Sequence, residues 1–193
     1  MSDTSSAAAL RLTCQPSKSG NMLIFPYRLD NGGLGDVYAV QAVTNFDAGA
    51  ENTAAVIMEA ETGDVIIGRF MPPLPIDRRI AVPLIPLVRQ VPAGGFLEGR
   101  IEVSLPLAET SPYFPDLTLR RYEIVDIKGV IVRVGYWPVD TGDLVARPYA
   151  EGSNLLRIVT ADPLGTGRSV SQRFPTSGLQ LFRRTDAFPR ALE

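Results

Sequence analysis

The chain has 193 residues, 45% of them hydrophobic and 21% charged, with a formal net charge of −2 and a pI near 5.3. That size and balance suit one large domain with a real core, argue against disorder, and provide no field to draw in nucleic acid or an anionic membrane. Histidine is absent and Cys14 is the single cysteine, which excludes Ser-His-Asp and Cys-His catalysis, zinc held by histidines or several cysteines, and an intrachain disulfide.

Residues 1–9 carry no basic segment leading into an apolar run, so they read as a flexible N-terminus and not as a Sec signal. No run of eighteen apolar residues occurs, and the expectation is a cytoplasmic chain with no membrane insertion. Sixteen prolines and seventeen glycines divide the sequence into short segments, which favours strands over helices. Residues 10–14 alternate as a strand, and Cys14 there reads as a small buried hydrophobe. Residues 22–29 and 36–43, joined through Asp30, Asn31, Gly32 and Gly33, predict a hairpin, with Pro26 marking an edge or a bulge. A second hairpin is predicted where 54–60 meets 64–70 through Glu61, Thr62 and Gly63.

The prolines at 72, 73 and 75 predict an extended crossover between two sheets. Residues 80–88 are apolar, and Pro83 and Pro86 place them along a sheet edge. In 96–105, Glu98, Arg100, Glu102 and Ser104 alternate with Leu97, Ile101, Val103 and Leu105, which predicts a strand buried on one side. The β-branched and aromatic run from 119 to 137 predicts either two strands turning at 126–129 or one long bulged strand. Beyond Pro138 the patterned segments thin out to 155–160 and 179–182.

These segments define an all-β chain: a β-sandwich domain over 10–137, immunoglobulin-like or jelly-roll, followed by a C-terminal hairpin or arm over 138–193. The 31–33 hairpin and the turn at 92–95 resemble bacterial immunoglobulin-like modules in architecture alone. Leu155, Ile158, Leu179, Leu181 and Phe182 give the arm an apolar face to cover. Packing on another subunit as a closed homo-oligomer, or folding back on its own sandwich, serves that need.

Several groups invite a chemical reading and have a plainer one. Asp30, Asn31 and Asp36, like Asp140 and Asp143, offer oxygens to a hard cation, but turn chemistry explains them without a metal. The 165–169 stretch, with Gly167 and Arg168, is able to face an anion, yet it lacks the ending of a phosphate-binding loop and reads as a hairpin. Glu98 and Glu102 are roughly 13 Å apart along a strand, too far for paired-carboxylate catalysis. The remaining candidate is aromatic: Tyr113, Phe114, Tyr136 and Trp137 as a ligand-binding platform. The reading is therefore a non-enzymatic interaction or structural module for a protein partner or itself, with no cofactor and no metal. The alternative is a carbohydrate- or small-ligand-binding protein, or a carboxylate-based hydrolase, with a cleft near Tyr136 and Trp137. Far-UV circular dichroism checks the fold class: a strand-type spectrum is expected, and a helical double minimum refutes it.

Overall fold

The computed structural model describes residues 10–44, 54–73, 84–113, 122–150, 152–159 and 166–185, and these form fifteen strands. Among the described residues there is no helix, and so none long and apolar enough to cross a membrane. Phe114 and residues 1–9 lie outside the described residues.

Three sheets result. In the first, β3 (Met22–Asn31) is central: β1 (Leu10–Cys14) and β2 (Ser17–Ser19) follow one another along one side, and β8 (Phe96–Ser104) lies along the other. The second runs β12 (Val145–Pro148), β13 (Leu156–Val159), β7 (Ile85–Val91), β4 (Val37–Thr44), β11 (Gly129–Pro138), β6 (Asp64–Arg69) and β5 (Ala55–Glu59). Parallel β6 flanks the first half of β11, antiparallel β4 takes over at Tyr136, and β14 (Arg168–Pro175) pairs along the opposite side. The third sheet joins β10 (Tyr122–Asp126), β15 (Gln180–Arg184) and β9 (Leu107–Ala108).

The expected hairpin between residues 22–29 and 36–43 does not form. β3 belongs to the first sheet and β4 to the second. The antiparallel pair β3–β8 instead runs on into the pair β4–β7, so that two adjacent chains fold over together from one sheet to the next. Asn31, 1% exposed, makes the fold-over possible. Its Nδ2 donates to the carbonyls of Gly35, Val91 and Pro92 at 3.0–3.1 Å, and its Oδ1 accepts from the Gly33 amide at 3.1 Å. Its backbone exchanges bonds with Gly94 and Gly95. Asp36 closes the far side by accepting from the Ala93 amide and Gln90 Nε2, which hold its carboxyl below the usual range.

Of the 119–137 run, the described part from 122 to 137 behaves likewise. β10 and β11 lie in different sheets but follow one path bent at Ile127 and Lys128, matched by β14 and β15 on the neighbouring path of the same chain. The second predicted hairpin does form, as β5–β6, with Glu59 opposite Asp64 and Gly63 at φ 76° in the turn. That positive φ is costly for any residue with a Cβ.

Two proline readings change. Pro26 sits in a central strand, but where β1 has ended and β2 has not begun, so its missing N–H faces a gap in the ladder. Pro86 also lies in an interior strand, because β13 pairs β7 at Leu87 and Val88 and leaves Pro86 unmatched on that side. Residues 74–83, with Pro75 of the expected crossover and Pro83 of the expected edge segment, lie outside the described residues.

Alternation supplies the main core. Phe25, Tyr27 and Leu29 of β3 and Leu97, Ile101 and Val103 of β8 meet Val65 and Ile67 of β6 and Val130, Val132, Val134 and Tyr136 of β11. Each fully buried aliphatic side chain contributes about 1.5–3 kcal/mol. At Gly99, opposite Tyr27, a Cβ would lie 2.4 Å from that ring, so glycine here is what lets the tyrosine enter the core. Glu109, a buried carboxylate, clips the sheets together by accepting from the Met58 amide of β5 and the Arg184 amide of β15, and burial pushes its carboxyl up.

The strands beyond Pro138 are woven into these sheets: β13 pairs β7, β14 pairs β11, and β15 pairs β9 and β10. Leu181 and Ile158 are buried within the chain, and Leu155, Leu179 and Phe182 are half-buried.

Removing the Asn31 side chain leaves the Val91 and Pro92 carbonyls and the Gly33 amide short of partners. Asn31→Ala is therefore expected to lower the free energy of unfolding by about 2–3 kcal/mol in urea titration. Gly35→Ala, four residues on, faces open space and is expected to stay within about 0.5 kcal/mol of wild type.

Candidate functional site

β11 presents two unlike faces. Val130, Val132, Val134 and Tyr136 point into the main core, whereas Gly129, Ile131, Arg133, Gly135 and Trp137 point outward. Adjacent strand residues face opposite ways, so Tyr136 and Trp137 cannot form one platform. Tyr136 is a core residue, and Trp137, 1% exposed, packs in a separate cluster with Val40, Val43, Leu84, Val88 and Ile158.

Over the outer face lies a cavity of about 150 Å³. Its floor is Arg133, Gly135 and Trp137, one wall is Phe70, Met71 and Pro73, and the other is Gly167, Arg168 and Ser169 at the start of β14. The opening exists because β6 leaves β11 where β4 joins it, and Gly135 marks the exchange. A Cβ there would come within 3.1 Å of Phe70 Cα and 3.2 Å of Val40 Cγ2. Tyr113 packs against the Trp137 cluster and donates its hydroxyl to the Pro72 carbonyl at 3.4 Å, bracing the Met71 to Pro73 wall. Burial pushes that hydroxyl's pKa up. Of the aromatic candidates, then, Trp137 lines the cavity and Tyr113 supports its wall.

Two residues that line the cavity each hold a buried donor without a hydrogen-bond partner, Trp137 at Nε1 and Arg133 at Nε. Buried polar groups are normally satisfied, and an orphan costs about 1–3 kcal/mol. The Arg133 guanidinium carbon lies 5.5 Å from the Phe70 ring centroid, and neither Arg133 nor Arg168 pairs with a carboxylate among the described residues. Arg173 on the same outer face differs. Asp64 takes it in a two-point ion pair, Nε to Oδ2 at 2.6 Å and Nη2 to Oδ1 at 2.9 Å, spanning β11 above Gly129. A Cβ on Gly129 would sit 2.8 Å from Asp64 Oδ1, so glycine clears the bridge. The cavity is thus a cationic, donor-rich hollow with one apolar wall, suited to oxygen acceptors carrying negative charge.

Sequence reasoning missed Arg133, Gly135, Phe70 and Met71. A lone arginine and a mid-strand glycine in a valine-rich strand were the available signal. The other chemical readings resolve into structure. Asp30 receives Arg28 Nε at 2.7 Å, and Glu98 and Glu102 pair with Arg28 and Arg100 on a wet face. The segment 140–143 is a turn with Gly142 at φ 34°. Cys14 is in the core, its thiol pushed up to about 11 by burial. Among the described residues no three His, Cys, Asp or Glu side chains gather to hold a metal ion.

Hydrogen bonds from Arg173 hold the Asp64 carboxyl below its usual range. A carboxylate so lowered stabilises the fold above its unfolded pKa of about 3.9, and that contribution is lost as pH falls through the folded value. Asp64→Asn is expected to cost about 1–3 kcal/mol at neutral pH. The gap from wild type should close as the solution is acidified below about pH 4, read from urea midpoints at several pH values. The chemistry of the cavity stands on its own geometry, because comparison with known proteins finds no matching family model, no matching curated protein and no matching solved structure.

Proposed function

We propose that the chain is a non-enzymatic binding module whose cavity over Gly135 receives a single negatively charged oxygen-bearing group presented by a protein partner. The observation that carries this reading is that Arg133 and Trp137, each with a buried, unpartnered donor, line one cavity with Arg168. The lining supports binding over catalysis. Among the described residues it contains no Asp, Glu, His, Lys, Cys or Tyr, and Ser169 has no base there to activate it. Size supports a presented group over a free metabolite, because pockets for drug-sized ligands run from about 300 Å³ upward.

Within the sandwich class, two ribbons folding over from sheet to sheet favour a jelly-roll kinship over an immunoglobulin-like one. A chain with one buried thiol and no disulfide suits a reducing cytoplasm.

Trp137 is the single tryptophan, so its indole N–H gives one isolated NMR resonance at the site. Titration with acetate or with phosphate is expected to move that resonance saturably, and acetamide is expected to move it far less. Arg133→Met should remove the response while the amide spectrum stays dispersed. An indole resonance that neither anion moves would falsify the proposal.

A further inference from the structure

The β12–β13 hairpin has an unusual wet face. Its opposite side carries Ala146, Leu156 and Ile158, which pack into the Trp137 cluster. Outward, the register sets Val145 opposite Val159 and Arg147 opposite Arg157, and Tyr149 is bonded to Leu155 in the next row. Val145, Tyr149 and Val159 are 45%, 45% and 50% exposed, three of the large apolar side chains that the described fold leaves to solvent. Arg157 stands opposite Leu87 of β7, which places Arg89, two residues on, on the same face.

Arginines placed directly opposite each other repel, and such a pair is destabilising unless something neutralises it. None of Arg89, Arg147 and Arg157 has a carboxylate partner among the described residues, and Arg157 Nε is buried without an acceptor. The wet face of β8 shows the ordinary solution, with Glu98 paired to Arg28 and Glu102 to Arg100. Moreover β12 ends the second sheet, so among the described residues its outer edge carries no neighbouring strand. An open edge beside a face of one charge sign invites an added strand of the opposite sign.

We propose that this face and edge dock an extended acidic segment of a partner protein. Only every second residue of an added strand faces this side, and against β12 these residues are apolar opposite Val145, acidic opposite the row of Arg147 and Arg157, and apolar opposite Tyr149. The site is separate from the Gly135 cavity: it lies on the other side of the sheet and uses none of the cavity's residues.

Fluorescence anisotropy with a labelled peptide whose every second residue runs Val, Glu, Val, with Ser between them, tests it on the full chain. Binding that weakens with salt is expected, with little binding of the same peptide carrying Gln in place of Glu. The Arg147→Glu/Arg157→Glu variant should lose affinity by roughly tenfold or more, as should the milder Arg147→Ala by a smaller factor. The matched double reversal Arg11→Glu/Arg100→Glu, on the first sheet, should bind as wild type does. Circular dichroism reports whether each variant is folded. The proposal is overturned by an acidic peptide that does not bind, by binding that survives in a folded Arg147→Glu/Arg157→Glu variant, or by a single-stranded oligonucleotide that displaces the peptide at lower concentration. It is overturned equally if light scattering finds a dimer of the chain alone that the double reversal dissociates, which assigns the face to a second copy.

Discussion

Everything in the architecture depends on the corner at Asn31. Two chains must leave the first sheet together and enter the second without losing their pairing, and each crossing exposes backbone groups that no ladder satisfies. Asn31 meets that need with one side chain, donating to carbonyls on both crossing chains while its own backbone bonds the turn at Gly94 and Gly95. An aspartate lacks the donors and an alanine lacks both functions, so residue chemistry and geometry agree here in a way that mere turn propensity does not require. With the corner fixed, β3 and β8 lie over β6 and β11, and the main core follows from alternation.

The second dependence is on β11, which touches β4, β6 and β14 and so joins both ribbons. Its inward residues are valines and a tyrosine, as packing demands. Its outward residues include two glycines, Gly129 and Gly135, because other groups need the space. Gly129 passes the Asp64–Arg173 bridge and Gly135 lets Phe70 and Val40 converge. The cavity is a by-product of that convergence, and it falls where Arg133 and Trp137 happen to offer donors.

Arginine is used in two ways on this molecule. Where a carboxylate faces it, as for Arg28, Arg100, Arg173 and Arg183, it completes a local pair. The exposed pairs among these, those of Arg28, Arg100 and Arg183, add at most about 1 kcal/mol each. In the cavity and on the β12–β13 hairpin arginines stand without carboxylates, two beside an orphaned indole and three across neighbouring strands. A net charge of −2 hides both concentrations, since the acidic residues are spent elsewhere.

The sequence by itself determined the strand content, the β5–β6 turn around Gly63, the one-sided burial of β8 and the burial of Cys14, because each rests on local periodicity or on a single residue's conformational needs. It also named Trp137 and Tyr113, though not their separation from Tyr136, which adjacent strand positions already imply. What it left open was which strands pair. A period-two pattern reads the same in a hairpin and in a chain crossing to another sheet, and the choice at Asn31 rests on Val91, sixty residues away. The same holds for the site: Phe70, Arg133 and Ser169 become neighbours only through the register of β6, β11 and β14, and no window of sequence contains all three. Local sterics are written in the chain one residue at a time, whereas the convergence of distant donors is a property of strand order, which only the folded molecule decides.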